Sequence, residues 1–321
     1  MERHAGLETL PVGLRLAVTI GVFDGVHRGH LAVLRALMHA ARAARAAPVA
    51  VTFEPHPELV LRGAVPPLLC DAEERAALLA AAGVAHLVVQ PFDRAFAALS
   101  AEAFVERLGA GRDLAALVMT PESAFGRGRA GTAATMAALG ALRGFRVVEI
   151  ASLRSGAALI SSGRIRSLLA EGRLAAAARL LGRRPAVTGK VVRGDGRGRE
   201  LRYPTANLAF DAPVALPRDG IYAVRVGWGG PHPLAPQRQA DGVASLGVRP
   251  TFGIGDRVLE VHLFDFDEEL YGQRLRVEFV RRQRGERRFQ NAAALVAQMD
   301  LDAARARRTL AATAPAPSRA R

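Results

Sequence analysis

The chain has 321 residues, half of them apolar, a net charge of +14 and one cysteine, Cys70. That length sets an expectation of two domains. No run reaches the ~18 apolar residues of a membrane-spanning helix, and one cysteine excludes an intrachain disulfide framework. The positive charge is carried by arginines scattered along the chain, with Lys190 the only lysine. This excludes a Gly-x-x-x-x-Gly-Lys-Ser/Thr phosphate loop and leaves Lys190 as the sole Schiff-base candidate. A non-enzymatic nucleic-acid binder would rest on net charge alone, because no lysine-rich arm or aromatic-interleaved basic stripe is present. Met1 to Pro11 holds no long apolar run, so the expected compartment is the cytoplasm.

In chain order, the first half alternates strand-like apolar runs with alanine-rich helical patterns. Strands are expected at Leu16 to Ile20, Val49 to Phe53, Val84 to Val89, Leu114 to Met119 and Arg146 to Ile150. Helices fall between them at His30 to Ala47, Ala72 to Ala82, Ala101 to Leu108 and Thr132 to Leu142, followed by Ile165 to Leu169 and Leu174 to Leu181. The alternation predicts a Rossmann-like α/β domain with a parallel sheet covered on both faces. After Gly182-Arg183-Arg184-Pro185 the texture changes to short alternating runs between glycine-rich turns, at Ala186 to Val192, Ile221 to Val226, Leu259 to Phe264 and Leu275 to Val280. That rhythm predicts a small antiparallel β-barrel, closed by a C-terminal helix over Asn291 to Arg308. The expected domains are 1–184 and 185–310, with 311–321 a flexible tail.

Three stretches of the first half carry chemistry. Gly21-Val22-Phe23-Asp24-Gly25-Val26-His27-Arg28-Gly29-His30 joins a strand to a helix. His27 and His30, three apart at a helix N-terminus, suit charge developing on phosphoryl oxygens, and Gly29 gives a phosphate access to the backbone. Thr52-Phe53-Glu54-Pro55-His56-Pro57 is a proline-stiffened loop at the carboxyl end of a strand, where parallel sheets bind ligands. In Ile160-Ser161-Ser162-Gly163-Arg164-Ile165-Arg166 a serine caps a helix whose arginines can clamp a polyphosphate.

The second half has its own set. Gly189 to Arg199 is a strand running into a glycine-rich loop, followed by Tyr203-Pro204-Thr205-Ala206-Asn207. In extended chain Thr205 and Asn207 point the same way, so their oxygens can converge on one hard cation such as Mg²⁺ held with substrate phosphates. On the strand Leu259 to Phe264, Glu260 and His262 oppose Leu259, Val261 and Leu263, and a carboxylate there can take a proton from an alcohol near a phosphoryl donor.

Taken in order, these motifs resemble the bacterial bifunctional riboflavin kinase/FMN adenylyltransferases over about residues 16–308. The resemblance implies riboflavin, FMN and ATP as small-molecule partners, with Mg²⁺ accompanying ATP, flavins as substrate and product, and no nucleic-acid or membrane partner. It places His27 and His30 at the ATP phosphates, with Gly21, Phe23, Asp24, Gly25, Gly29, Ser161, Ser162, Arg164 and Arg166 nearby. It assigns Phe53, Pro55, His56, Glu122, Phe125 and Arg249 to the flavin. In the second domain it makes Glu260 the base for the ribityl 5′-hydroxyl, Thr205 and Asn207 the Mg²⁺ ligands, and Gly189 and Gly194 part of the ATP loop. The chain departs from that family at Thr120, Glu122 and Ser123, at Gly163 where threonine is usual, and at Arg202 where glycine is usual. The departures at Thr120, Glu122, Ser123 and Gly163 motivate an alternative, a riboflavin kinase whose adenylyltransferase domain is degenerate.

Overall fold

The strands of the first half read as nearly continuous apolar runs because their sheet is covered on both faces. The structure is a computed structural model and describes residues 1–194, 198, 201, 203–248 and 257–313. It divides into two compact units, Met1–Pro66 with Ala72–Arg164, and Pro67–Asp71 with Ile165–Arg321.

The first unit opens with β1 (Glu2–His4), β2 (Arg15–Ile20), α1 (Arg28–Ala44) and β3 (Ala47–Glu54). The helices α2 (Pro57–Arg62) and α3 (Ala72–Ala81) lead to β4 (His86–Pro91). Then come α4 (Arg94–Ala97), α5 (Ala101–Gly109) and β5 (Asp113–Met119), a small hairpin of β6 (Ala124–Phe125) and β7 (Gly131–Thr132), α6 (Ala133–Arg143) and β8 (Arg146–Glu149). A second hairpin, β9 (Arg154–Ser155) with β10 (Ala158–Leu159), precedes α7 (Ser162–Ala170), which starts in this unit and continues into the second, where α8 (Leu174–Leu181) follows. The six-stranded sheet has the order β1-β4-β3-β2-β5-β8, every pair parallel.

Successive residues of each strand serve opposite faces. Leu16, Val18, Val49 and Val51 pack with Phe104 and Met136 on one side, while Ala17 and Ala50 pack with Leu34, Leu37 and Leu79 on the other. Leu34 and Leu37 of α1 are fully buried and contribute about 1.5–3 kcal/mol each. The edge strand β1 extends the sheet beyond the expected strands, because three residues are too few to show a period.

In the second unit β11 (Ala186–Val192), β12 (Ala206–Ala209), β13 (Gly220–Trp228), β14 (Arg238–Val248), β15 (Arg257–Leu263) and β16 (Arg274–Arg284) close a barrel in the order β11-β12-β15-β14-β13-β16. All its pairs are antiparallel. Inward positions such as Tyr222, Leu246, Leu259, Val261, Val277 and Phe279 are buried. The last helix, α9 (Ala292–Ala312), is capped by Asn291, whose side chain accepts from the amide of Ala294 at 2.9 Å. It lays Ala306 and Leu310 against Ala223 and Phe264 of the barrel unit and runs two residues into the segment expected as tail. Among the described residues, no helix is long and apolar enough to cross a membrane.

Candidate active sites

In the first unit the chain winds outward from β2 through β3 and β4, then returns to place β5 on the other side of β2. The carboxyl ends of β2 and β5 therefore form a topological switch point, where open parallel sheets hold their ligands. A cleft of about 380 Å³ lies there, lined by Gly21, Phe23, His27, Gly29 and His30 after β2, Glu122 and Ser123 after β5, and Ser161 and Ser162 at α7.

His27 is the N-cap of α1 rather than part of its first turn. Its backbone is extended, and Nδ1 accepts from the amide of His30 at 3.3 Å. A neutral ring accepting at Nδ1 carries its proton on Nε2. The two imidazoles stack with centroids 3.7 Å apart and planes at 12°, and Phe23 meets His30 edge-on at 5.3 Å. Burial, aided by the neighbouring His27, lowers the His30 pKa well below 6.5, so the ring is neutral at pH 7. Its Nδ1 is buried with no hydrogen-bond partner among the described residues. The loop bearing this pair is tight: Phe23 (φ 54°), Gly25 (φ 77°) and Val26 (φ 35°) all have left-handed backbone, which costs a non-glycine residue about 1–2 kcal/mol. At Gly29 a Cβ would lie 3.0 Å from His27 Cε1 and 3.3 Å from the carbonyl of Ile160. The glycine thus makes room for the His27 ring and the chain before α7, whereas the expectation was room for a phosphate.

At α7 the N-cap reading of the serines has its counterpart. Ser161 Oγ accepts from the amide of Arg164 at 3.2 Å, an N-cap. Ser162 Oγ donates to the carbonyl of Asp24 at 2.9 Å and ties the helix start to the histidine loop. Arg164 is exposed, and neither it nor Arg166 lines the cleft.

Beside this cleft, sharing Ile20, Gly21 and Ser123 with it, is an apolar cavity of about 450 Å³. Phe53, Phe92, Phe96, Phe104 and Phe125 line it and form a chain of edge-to-face and tilted ring contacts at 5.1–6.1 Å. Phe53 and Phe125 belong to the expected flavin set. Pro55 and His56 do not line the cavity; His56 instead caps α2, accepting from the amide of Glu58 at 3.1 Å. Glu122 is exposed at the other cleft, its carboxyl held below the usual range first by the hydroxyl of Ser152. Thr120 and Ser123, the unusual residues after β5, form a closed turn. The Thr120 amide donates to Ser123 Oγ at 3.0 Å, and the Ser123 amide donates to the Thr120 carbonyl at 2.9 Å.

In the barrel, β15 alternates as its sequence suggests, with Leu259, Val261 and Leu263 buried and Glu260 and His262 on the outer face. Glu260 is the register partner of Asn207 on β12 and of Ser245 on β14. Paired residues of antiparallel strands share a face, so the carboxylate stands between an amide and a hydroxyl. Thr205 Oγ1 donates to Glu260 Oε1 at 3.4 Å. A cavity of about 290 Å³ is lined by Thr205, Ser245, Glu260 and His262 and by Leu295 and Met299 of α9. His262 Nδ1 donates to the carbonyl of Pro204 at 2.8 Å. Tyr203 donates to Asp300 of α9, and burial together with that bond pushes its pKa up to about 12.

Asn207 opens instead toward a neighbouring cavity that also holds Gly194. A Cβ on Gly194 would lie 2.7 Å from Asn207 Cγ, and one on Gly198 would lie 3.1 Å from Thr205 Oγ1. Two glycines of the loop after β11 therefore pack on the two expected cation ligands. Gly189 keeps β11 close to β12, since a Cβ would lie 2.9 Å from the carbonyl of Ala209. Arg249 and Arg202 lie outside the described residues.

A histidine-lined cleft at a parallel-sheet switch point, joined in one chain to a barrel carrying an outward carboxylate among hydroxyl and amide oxygens, defines a class of ATP-using transferase. The family described as FAD synthetase matches residues 13–164, and the one described as riboflavin kinase matches 181–310. A bifunctional riboflavin kinase/FMN adenylyltransferase of Escherichia coli K12 is 37% identical over 301 residues, 93% of this chain and 94% of the relative. The Bacillus subtilis enzyme of the same name is 32% identical over 291 residues, covering 89% of each chain. A solved structure described as a macrolide-efflux protein from Streptococcus pneumoniae superposes with a TM-score of 0.81 at 27% identity, over 98% of this chain and 99% of its own. The chain belongs to the bifunctional riboflavin kinase/FMN adenylyltransferase family.

Sequence reasoning missed Phe92, Phe96, Phe104, Ser245, Leu295 and Met299. The phenylalanines look like ordinary core positions in isolation. Their signal was the density of one ring type, five of the chain's 13 phenylalanines within one cavity.

Proposed function

We propose that the barrel unit transfers the γ-phosphate of ATP to riboflavin, giving FMN and ADP, and that the parallel-sheet unit joins AMP from ATP to FMN, giving FAD and pyrophosphate. In the first reaction Glu260 takes the proton of the ribityl 5′-hydroxyl as its oxygen attacks the γ-phosphorus and ADP leaves. The observation that carries this role is its setting: a carboxylate with Thr205 at 3.4 Å and Asn207 and Ser245 as register partners, on a cavity wall that Leu295 and Met299 complete. General-base help of this kind contributes about 10²–10⁴ in rate. Thr205 and Asn207 offer hard oxygen donors of the type Mg²⁺ accepts, and they would hold the cation that accompanies ATP.

In the second reaction a phosphate oxygen of FMN attacks the α-phosphorus of ATP and pyrophosphate departs. The nucleophile is already ionised at pH 7, so the residues' work is electrostatic. Nε2–H of His27 and the amides of the α1 N-terminus face phosphoryl charge, and the phenylalanine-lined cavity alongside suits the flat flavin ring. A neutral His30 stacked on His27 keeps the pair from carrying two charges.

The kinase-only alternative rested on the substitutions after β5 and on Gly163. It is not favoured, because Thr120 and Ser123 build an ordered turn and the FAD synthetase match runs from residue 13 to residue 164, through those substitutions and Gly163. Incubating the full chain with riboflavin, ATP and Mg²⁺ and separating the flavins by chromatography tests both steps. FMN should appear first and FAD after it, with pyrophosphate released. FMN without FAD would remove the second reaction.

A further inference from the structure

The sheet end opposite the cleft carries three side chains that neither reaction uses. Glu2 and His4 lie two apart on β1 and so share a face. His86 opens β4 as the register partner of Glu2. His4 Nε2 is 3.1 Å from His86 Nδ1, Glu2 Oε2 is 3.4 Å from His86 Nδ1, and Glu2 Oε2 is 3.8 Å from His4 Nε2. A tetrahedral Zn²⁺ with ligands at about 2.0–2.1 Å holds them roughly 3.3 Å apart, close to the mean of this triangle. His4 Nδ1 lies 3.2 Å from the carbonyl of Thr9. A carbonyl only accepts, so the proton sits on Nδ1 and the Nε2 lone pair is turned to the other two donors. Backbone anchoring of the distal nitrogen is how metal-binding histidines are oriented. The histidine side chains are 9% and 13% exposed, while Glu2 is 69% exposed, which gives a shielded imidazole pair and an open side for a solvent ligand. Among the described residues no other group of three or more His, Cys, Asp and Glu side chains meets this way.

We infer that Glu2, His4 and His86 bind one Zn²⁺ ion, with water as fourth ligand, and that the ion pins the edge strand β1 to β4. Two imidazoles and one carboxylate favour Zn²⁺ over Mg²⁺ or Ca²⁺, which prefer all-oxygen shells. The site sits at the amino ends of parallel strands, whereas the cleft sits at their carboxyl ends, so the ion lies apart from the cleft.

The test uses the full chain without a histidine tag, stripped with a chelator and titrated with Co²⁺ and then Zn²⁺. The wild type should show the visible bands of tetrahedral Co²⁺, saturating at one equivalent and erased by Zn²⁺, and its Tm should rise with Zn²⁺ concentration. His4→Asn and His86→Gln should weaken binding beyond the about 10–100-fold that loss of an outer-shell partner costs. Glu2→Gln changes an exposed side chain and should fold normally, weaken binding measurably and leave both flavin activities unchanged. The inference is overturned if the wild type shows no stoichiometric tetrahedral Co²⁺, or if Glu2→Gln binds it as the wild type does.

Discussion

At Gly29 the space for a side chain is already taken by the His27 ring, 3.0 Å from where a Cβ would stand. Gly29→Ala makes that imidazole give by a few tenths of an ångström and disturbs its stack with His30. It should lower FAD formation from FMN at least tenfold while FMN formation from riboflavin continues at the normal rate, as separate assays of the two steps would report. His30 makes a second, pH-dependent case. Its folded pKa lies below the unfolded value of 6.5, chiefly because burial excludes water. The unfolded chain therefore binds a proton that the folded site refuses, and stability falls as pH drops through 6.5 while remaining intact above it. Thermal melts at pH values from about 8 down to about 5 should show a shallower acid-side loss for His30→Gln than for the wild type. Equal slopes would mean the ring is not buried neutral. The pair itself was legible because its spacing and glycine neighbours are local. That His27 caps the helix from outside it was not, since the same letters serve an N-cap and a first turn equally well.

Among elements, β14 shows where patterning fails. Its run Asp241-Gly242-Val243-Ala244-Ser245-Leu246-Gly247 carries glycines that read as turns, yet Gly242 sits mid-strand and Gly247 next to its end, because neighbouring groups leave no room. A Cβ on Gly242 would lie 2.5 Å from the carbonyl of His262, and one on Gly247 would overlap Glu286. Close approach in the folded barrel is not visible in one strand's letters, so Ser245, the partner of Glu260, went unseen. Four of the other strands, β11, β13, β15 and β16, were readable, whereas β12, four residues with the first three buried in a row, has no alternation to read. The dock of α9 depends on a contact equally remote in sequence. Arg284 of β16 and Asp302 of α9 make a bidentate pair at 2.6–3.1 Å, with side chains only 10% and 3% exposed, and Gln298 adds a bond to Asp302 at 3.0 Å. Removing one member of a buried pair strands the other charge and costs about 3–5 kcal/mol. Asp302→Ala should lower the barrel's unfolding free energy by that amount in denaturant titration. It should also reduce riboflavin phosphorylation, because α9 supplies Leu295 and Met299 to the cavity around Glu260, while FAD formation from added FMN is unaffected.

For the whole chain the question is whether two chemistries need one molecule. The lining of each cavity comes from one compact unit: the histidine cleft and the phenylalanine cavity from residues within 1–164, and the Glu260 cavity from residues beyond 164. Each site therefore contains its own donors, acceptors and walls, and FMN is a stable product that can leave one and enter the other through solvent. The change in texture near residue 184 gave the expected boundary, whereas the compact units divide at Arg164 and Ile165, because α7 and α8 still read as helices of the first half. Independence of the sites follows only from seeing where each lining residue lies. His30→Ala should make FMN and no FAD. Glu260→Gln should lose about 10²–10⁴ in phosphorylation rate and still adenylate added FMN. An equimolar mixture of the two variants, given riboflavin, ATP and Mg²⁺, should then produce FAD, with a lag that shortens as total protein rises because FMN must first accumulate in solution. Chromatographic time courses at two protein concentrations would show it. If the mixture makes FMN but never FAD while each variant performs its retained half-reaction alone, the intermediate passes within a single chain and the two sites are not independent.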